Sequence, residues 1–139
     1  LHSFPTRRSS DLWQMTFREQ RFLPLLVLTG VNVLGYEFMQ QLHAPRLLTG
    51  ILLFNAVNTV LILLVTLQWK ISIHLFTLTS CIALLFLVLG HPALWLFALV
   101  PLLMWSRIHL KAHNFMQTLV GAIIGFAIMF AELTWWIEL

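Results

Sequence analysis

Five apolar stretches, near 22–40, 47–68, 73–89, 93–105 and 114–137, alternate with short polar breaks. A membrane-crossing helix needs roughly 20 apolar residues, about 30 Å at 1.5 Å per residue. The second and fifth stretches meet that length. The first is adequate, with Pro24 and Glu37 near its ends. The third is short. The fourth is shorter and holds Pro101, which reads either as a kinked span or as a re-entrant segment. "LHAPR" (42–46) and "GHP" (90–92) read as turns, because proline and the residue before it resist helix. No internal repeat is present. The expected fold is all-α: a polytopic transmembrane helical bundle with about five spans.

Threading five spans alternately through a bilayer sorts the polar residues. One face receives Arg18 and Arg21, then Lys70, Ser72 and His74, then Arg107, Lys111 and His113. The other receives His43, Arg46, His91 and the C-terminal end. Trp13, Trp69 and Trp105 fall at the first boundary, and Trp95, Trp135 and Trp136 at the second. Indole rings favour membrane interfaces, so this placement supports the count of spans. Counting free positive charges would make the crowded face cytoplasmic, but charges that serve as ligands in a site do not count as topological signals.

Composition agrees with a membrane reading. Of 139 residues, 60% are hydrophobic and 9% charged, where a soluble domain carries about 25% charged. Mean hydropathy is +0.89. The formal charge of +3 is spread between long apolar runs, which argues against nucleic-acid binding. The lone cysteine, Cys81, lies in an apolar segment and reads as a buried, inert thiol. The opening "LHSFPTRRSSDL" (1–12) differs abruptly from the rest of the chain and lacks the apolar core of a targeting peptide. It reads as translated sequencing-adapter sequence or a non-native leader. Residues 13–139 are then the membrane-embedded domain, expected to be truncated at its N-terminus.

The gathering of Arg, Lys, Ser and His at one membrane face suits a phosphorylated substrate. Arginine and lysine neutralise phosphate oxygens, and arginine can hold two at once. One histidine can attack phosphorus, and a second can protonate the leaving oxygen. Fixed cations can do this without a metal.

The segment "SRIHLKAHNFMQ" (106–117) resembles the third motif of the type 2 phosphatidic acid phosphatase superfamily, Ser-Arg, five residues, His, three residues, Asp. It supplies Ser106, Arg107 and His113, with Gln117 where the family has Asp. "LVGAIIG" is similar to the continuation of that motif into the last helix. "ISIH" keeps Ser72 and His74 of the second motif, Pro-Ser-Gly-His. For the first motif, Lys, six residues, Arg-Pro, the segment "QMTFREQRFLP" offers Arg21, with Gln14 at the Lys position and Pro24 displaced.

The resemblance implies a phosphohistidine enzyme with a six-helix core, one helix lying upstream. It would hydrolyse a lipid phosphate or a prenyl or lipid diphosphate without a cofactor. The setting implied is a bacterial cytoplasmic membrane, with the site facing away from the cytoplasm. His113 would be the nucleophile and His74 the general acid, while Ser72, Arg107 and Arg21 would hold phosphate oxygens. Lys70 has no counterpart in the family and is a candidate only as a cation two residues from Ser72. Gln117, at i+4 from His113, is expected to share a helical face with it and to accept the imidazole N–H. It cannot supply the negative charge of the usual Asp.

Other readings weigh against these. A non-enzymatic membrane protein could bind anionic headgroups with the same cations. His109 and His113 have the spacing of two metal ligands, but no third is evident and no metal is assigned. His74 and His113 could ligate a haem. Asn55 and Asn58 are expected to hydrogen-bond between helices. Gly121 and Gly125 suit close helix packing, or less simply a dimer interface. Glu37 and Glu132 are given no role, His43 and His91 read as turn residues, and nothing specifies an oligomer. The partners expected are a lipid phosphate and the surrounding membrane lipids.

Overall fold

The computed structural model describes the backbone of residues 7–139 and the side chains of residues 20 and 22–139. The chain is an all-α bundle: α1 (Arg7–Gln41), α2 (Arg46–Gln68), α3 (Ile73–Leu89), a 3-10 segment (His91–Ala98) running into α4 (Leu99–His109), and α5 (Phe115–Glu138). Among the described residues, four helices are long and apolar enough to cross a membrane: Phe22–Gln41 within α1, α2, the joined 91–109 stretch, and α5. The expected bundle is therefore formed. The Arg7–Leu12 part of the opening segment continues α1, while residues 1–6 lie outside the described residues.

The fourth stretch is longer than the sequence suggests. The 3-10 segment has 8 residues and α4 has 11. At about 2.0 and 1.5 Å rise per residue these reach about 32 Å, enough for a full span. Pro101 sits in the first turn of α4, just where 3-10 winding gives way to α winding. Proline is tolerated in a first turn and resisted further in. By contrast α3, with 17 residues, reaches only about 26 Å.

The breaks have local causes. After α1, His43 takes a left-handed φ of 54°. His43 and Ala44 there donate their N–H groups to the carbonyls of Gln40 and Met39. Pro45 then opens α2. After α3, Gly90 takes φ 75° and its N–H closes onto Phe86 O at 2.8 Å. Glycine adopts that conformation without steric cost.

Helices α3 and α5 run parallel and pack most extensively, α1 packs on α2, and α2 touches α5. The α3–α5 seam is close because Gly121 and Gly125 line it. A methyl on Gly121 would stand 2.8 Å from Ser72 O, and one on Gly125 would meet the Phe76 backbone and Thr79 Oγ1. Both glycines therefore serve packing within the chain, and the dimer-interface reading falls away. Phe54, Ala83, Met129 and Leu133 form one buried cluster, and Ile62, Ile71 and Phe76 another. Large apolar side chains such as Leu34, Leu67 and Leu102 stay exposed, as expected where the surroundings are hydrocarbon. Cys81 is also exposed. The sequence reading of a buried thiol fails because α3 turns that side of the helix away from α5.

Asn58 Nδ2 donates to Glu132 Oε2 at 2.8 Å, joining α2 to α5 as expected of the asparagine. Glu132, which the sequence left without a role, is its partner. Thr29, Thr59, Thr66 and Thr134 donate to carbonyls one turn back on their own helices. These bonds satisfy hydroxyls that would be costly to leave bare in hydrocarbon.

Candidate functional site

The start of α3, the end of α4 and the start of α5 meet at one end of the bundle. Residues 69–72 lead out of α2 without helical structure. The Ser72 N–H then donates to Gln117 O at 3.3 Å, and Ser72 O receives the Phe76 N–H that begins α3. The absent side chain of Gly121 makes room for this crossing. Ser72 is 0% exposed, and its Oγ has no hydrogen-bond partner among the described residues. His74, in the first turn of α3, is exposed, as is Lys70.

Arg107 lies in the last turn of α4, where a cation is favoured by the helix dipole. Its carbonyl accepts the N–H groups of both Ala112 (3.1 Å) and His113 (3.4 Å). Lys111, at φ 53°, allows that reversal. This small turn ties His113 to the end of α4. His113 is half-buried with its Nδ1 enclosed. Arg107 is half-buried too, and its Nε finds no hydrogen-bond partner among the described residues. A buried donor left so is costly unless something outside the protein completes it.

The expectation for Gln117 needs correcting. Helix α5 begins at Phe115, so His113 stands before the helix and shares no helical face with Gln117. Asn114 is the cap. Its Oδ1 accepts the Gln117 N–H at 2.8 Å, and Gln117 Oε1 accepts the Asn114 N–H at 3.1 Å. The spacing i, i+4 brings side chains together only within a helix, and here the capping box engages the glutamine first. Sequence reasoning missed Asn114, although Asn-x-x-Gln ahead of an apolar run is a legible signal of a helix start.

Backbone hydrogen bonds thus tie Ser72 to Gln117 and His113 to Arg107, and the short link through Asn114 keeps the two pairs at the same end of the bundle, with His74 and Lys70 close to Ser72 in the chain. This is the face on which the alternating spans were expected to gather them. The Arg21 side chain lies outside the described residues. His109 stacks on Trp105, ring centroids 5.2 Å apart, so the turn at Lys111 separates it from His113. Among the described residues, no group of three or more His, Cys, Asp or Glu is arranged to hold a metal ion. At the opposite end, Trp136 Nε1 donates to Arg46 O at 2.9 Å, His43 is an exposed turn residue, and His91, expected in a turn, is exposed at the start of the 3-10 segment.

No family model matches the chain, and neither a curated protein nor a solved structure matches it. What the site can do rests on its own side chains: two cations, a hydroxyl and two imidazoles at one end of an apolar bundle.

Proposed function

We propose that this end of the bundle holds the phosphate of a membrane lipid and that the chain hydrolyses it through a phosphohistidine. The observation that carries the reading is a pair of buried donors, Ser72 Oγ and Arg107 Nε, left without partners among the described residues beside His74 and His113. A phosphate offers the acceptor oxygens these donors lack. The lipid tail stays in hydrocarbon while the headgroup reaches the cations.

In this mechanism His113 Nε2 attacks phosphorus, since Nδ1 faces inward. The new N–P bond forms as the P–O bond to the lipid breaks. A protonated His74 gives its proton to the departing oxygen. Water then attacks phosphorus and gives its proton to the now neutral His74, the N–P bond breaks, and phosphate leaves. Arg107 holds equatorial oxygens, with Lys70 and Arg21 as further cations. The Ser72 hydroxyl is fully enclosed, so it takes a phosphate oxygen only when residues 69–72 ease away from α5.

Gln117 favours a second reading. Its carbonyl is engaged in the cap of α5, and the chain has no carboxylate at the position where the resembled family has Asp. A site with cations but no charge behind the imidazole suits binding of anionic headgroups without turnover.

Phosphate release from liposomes carrying lipid phosphates, with chelator present, separates the two. His113→Ala is expected to abolish release, and Arg107→Lys to reduce it by losing the planar fork. Undiminished release in His113→Ala ends the phosphohistidine mechanism. Absent release with headgroup binding retained moves the assignment to the second reading.

A further inference from the structure

A cavity of about 250 Å³ lies between α1, α2 and α3, with Met129 of α5 also lining it. Its polar wall comes from Asn32 on α1, Asn55, Asn58 and Thr59 on α2, and Thr77 and Ser80 on α3. Asn55, Asn58 and Thr59 follow the i, i+3, i+4 spacing, as do Thr77, Ser80 and Cys81, so each helix turns one polar face to the same space. Asn32, Asn58 and Ser80 fall near the middle of Phe22–Gln41, α2 and α3. The cavity is therefore at mid-depth in the apolar slab. Thr77 and Cys81 are exposed, so it opens on the flank of the bundle.

Most of the donors here are already spent. Asn32 Nδ2 donates to Leu28 O, Thr59 Oγ1 to Asn55 O, Ser80 Oγ to Gly125 O, and Asn58 Nδ2 to Glu132 Oε2. The buried polar atom left over in the wall is an acceptor. Asn58 is 3% exposed, and its Oδ1 has no hydrogen-bond partner among the described residues. An unsatisfied acceptor at this depth costs more than it would at a surface. None of the cavity-lining residues is Asp, Glu, Lys, Arg or His, so the wall offers no countercharge to an ion. The volume exceeds the ~150 Å³ apolar cavity that accepts benzene and falls below the ~300 Å³ at which sites for whole drug-sized ligands begin.

From these observations we infer that the cavity binds the hydroxyl head of a neutral, long-chain alcohol entering sideways from the bilayer. The hydroxyl donates to Asn58 Oδ1, and the chain leaves along the apolar flank. The site is independent of phosphate chemistry and stands or falls apart from it.

Cys81 lines the cavity and is the chain's one cysteine, so it reports occupancy directly. The full chain in micelles is treated with a small apolar maleimide, with dodecanol, dodecane or dodecylamine present, and the rate of Cys81 alkylation is followed. Dodecanol is expected to slow alkylation saturably, and dodecane to leave it unchanged. Asn58→Leu is expected to weaken the protection by about three- to tenfold, the range of one neutral hydrogen bond. That variant strands Glu132, so Asn55→Val, which removes a half-buried amide without stranding a partner, provides the second test and is expected to weaken protection as well. Equal protection by dodecane makes the cavity an apolar groove and overturns the inference. So does stronger protection by dodecylamine, which marks a cation site. Protection by none of the three, or full protection by dodecanol in both variants, overturns it as well.

Discussion

Gly125→Ala puts one methyl group where α3 and α5 approach most closely. A methyl there stands 2.8 Å from Phe76 Cα and 2.5 Å from Thr79 Oγ1, with Phe76 O nearer still. Two of those three atoms are backbone of a packed helix, so neither can swing aside. Relief requires α5 to back away from α3. That movement stretches the bond from Ser80 Oγ to Gly125 O, now 3.0 Å.

The opposing effects can be weighed. Alanine gains roughly 0.8–1 kcal/mol over glycine in helix propensity. Overpacking a close interior contact costs about 1–3 kcal/mol, and the strained hydrogen bond adds about 0.5–1.5 kcal/mol to that cost. The net is a destabilisation of about 0.5–3.7 kcal/mol, or about twofold and upward in the folded-to-unfolded ratio. Gly30→Ala is the internal control, because nothing lies within 4 Å of a methyl there and only the propensity gain remains. The assay is reversible unfolding in mixed micelles titrated with SDS, followed by tryptophan fluorescence and circular dichroism. A Gly125→Ala protein as stable as the parent, or a Gly30→Ala protein destabilised more than Gly125→Ala, refutes the close approach as the source of the effect.

The other predictions concern side chains that join helices or cap them. Glu132→Ala removes the acceptor of the Asn58 bond between α2 and α5 and is expected to cost about 0.6–2 kcal/mol. A double-mutant cycle with Asn58→Ala in the same titration should show coupling, and strict additivity refutes a direct bond. Asn114→Ala breaks both halves of the capping box and is expected to cost about 0.5–2 kcal/mol. Gln117→Glu keeps the reach of the box and places a negative charge at the helix N-terminus, for a gain of about 0.3–1 kcal/mol. Thermal unfolding in detergent reads both variants, and a loss of stability in Gln117→Glu counts against the cap as the role of that side chain.

The spans and their alternation were legible because they depend on run length and on a few breakers. Pro45 and Gly90 sit at helix ends, and apolar runs fill the spaces between them. The joining of His91–Ala98 to α4 was less legible, since a tighter 3-10 winding adds length that counting at α-helical rise omits. Glu132 was invisible for a different reason. Its meaning depends on Asn58, 74 residues away, and no local period announces such a pair. Cys81 was misread because an apolar neighbourhood in sequence says nothing about which side of a helix faces its neighbour when every side is apolar. The gathering of polar residues where α3 and α5 begin was legible in outline, as alternation alone puts Ser72, His74, Arg107 and His113 at one boundary.

The Gln117 expectation failed through the order in which local rules apply. The i, i+4 relation and the capping box both claim the residues 113–117, and they exclude each other. A helix running through His113 would pair it with Gln117, whereas a cap at Asn114 starts the helix two residues too late for that. Asparagine is among the best caps and among the poorer residues inside a helix, so the box prevails. The consequence for chemistry is direct. Freed from the helix, His113 is positioned by the carbonyl of Arg107 through its own N–H, and not by a side chain one turn ahead. The cation and the imidazole are then held by the same short turn, and a change in that turn moves both together. Substitution of Lys111, whose left-handed φ of 53° closes the turn, by glycine should therefore be tolerated. A β-branched valine there should displace Arg107 and His113 at once, because it resists that conformation.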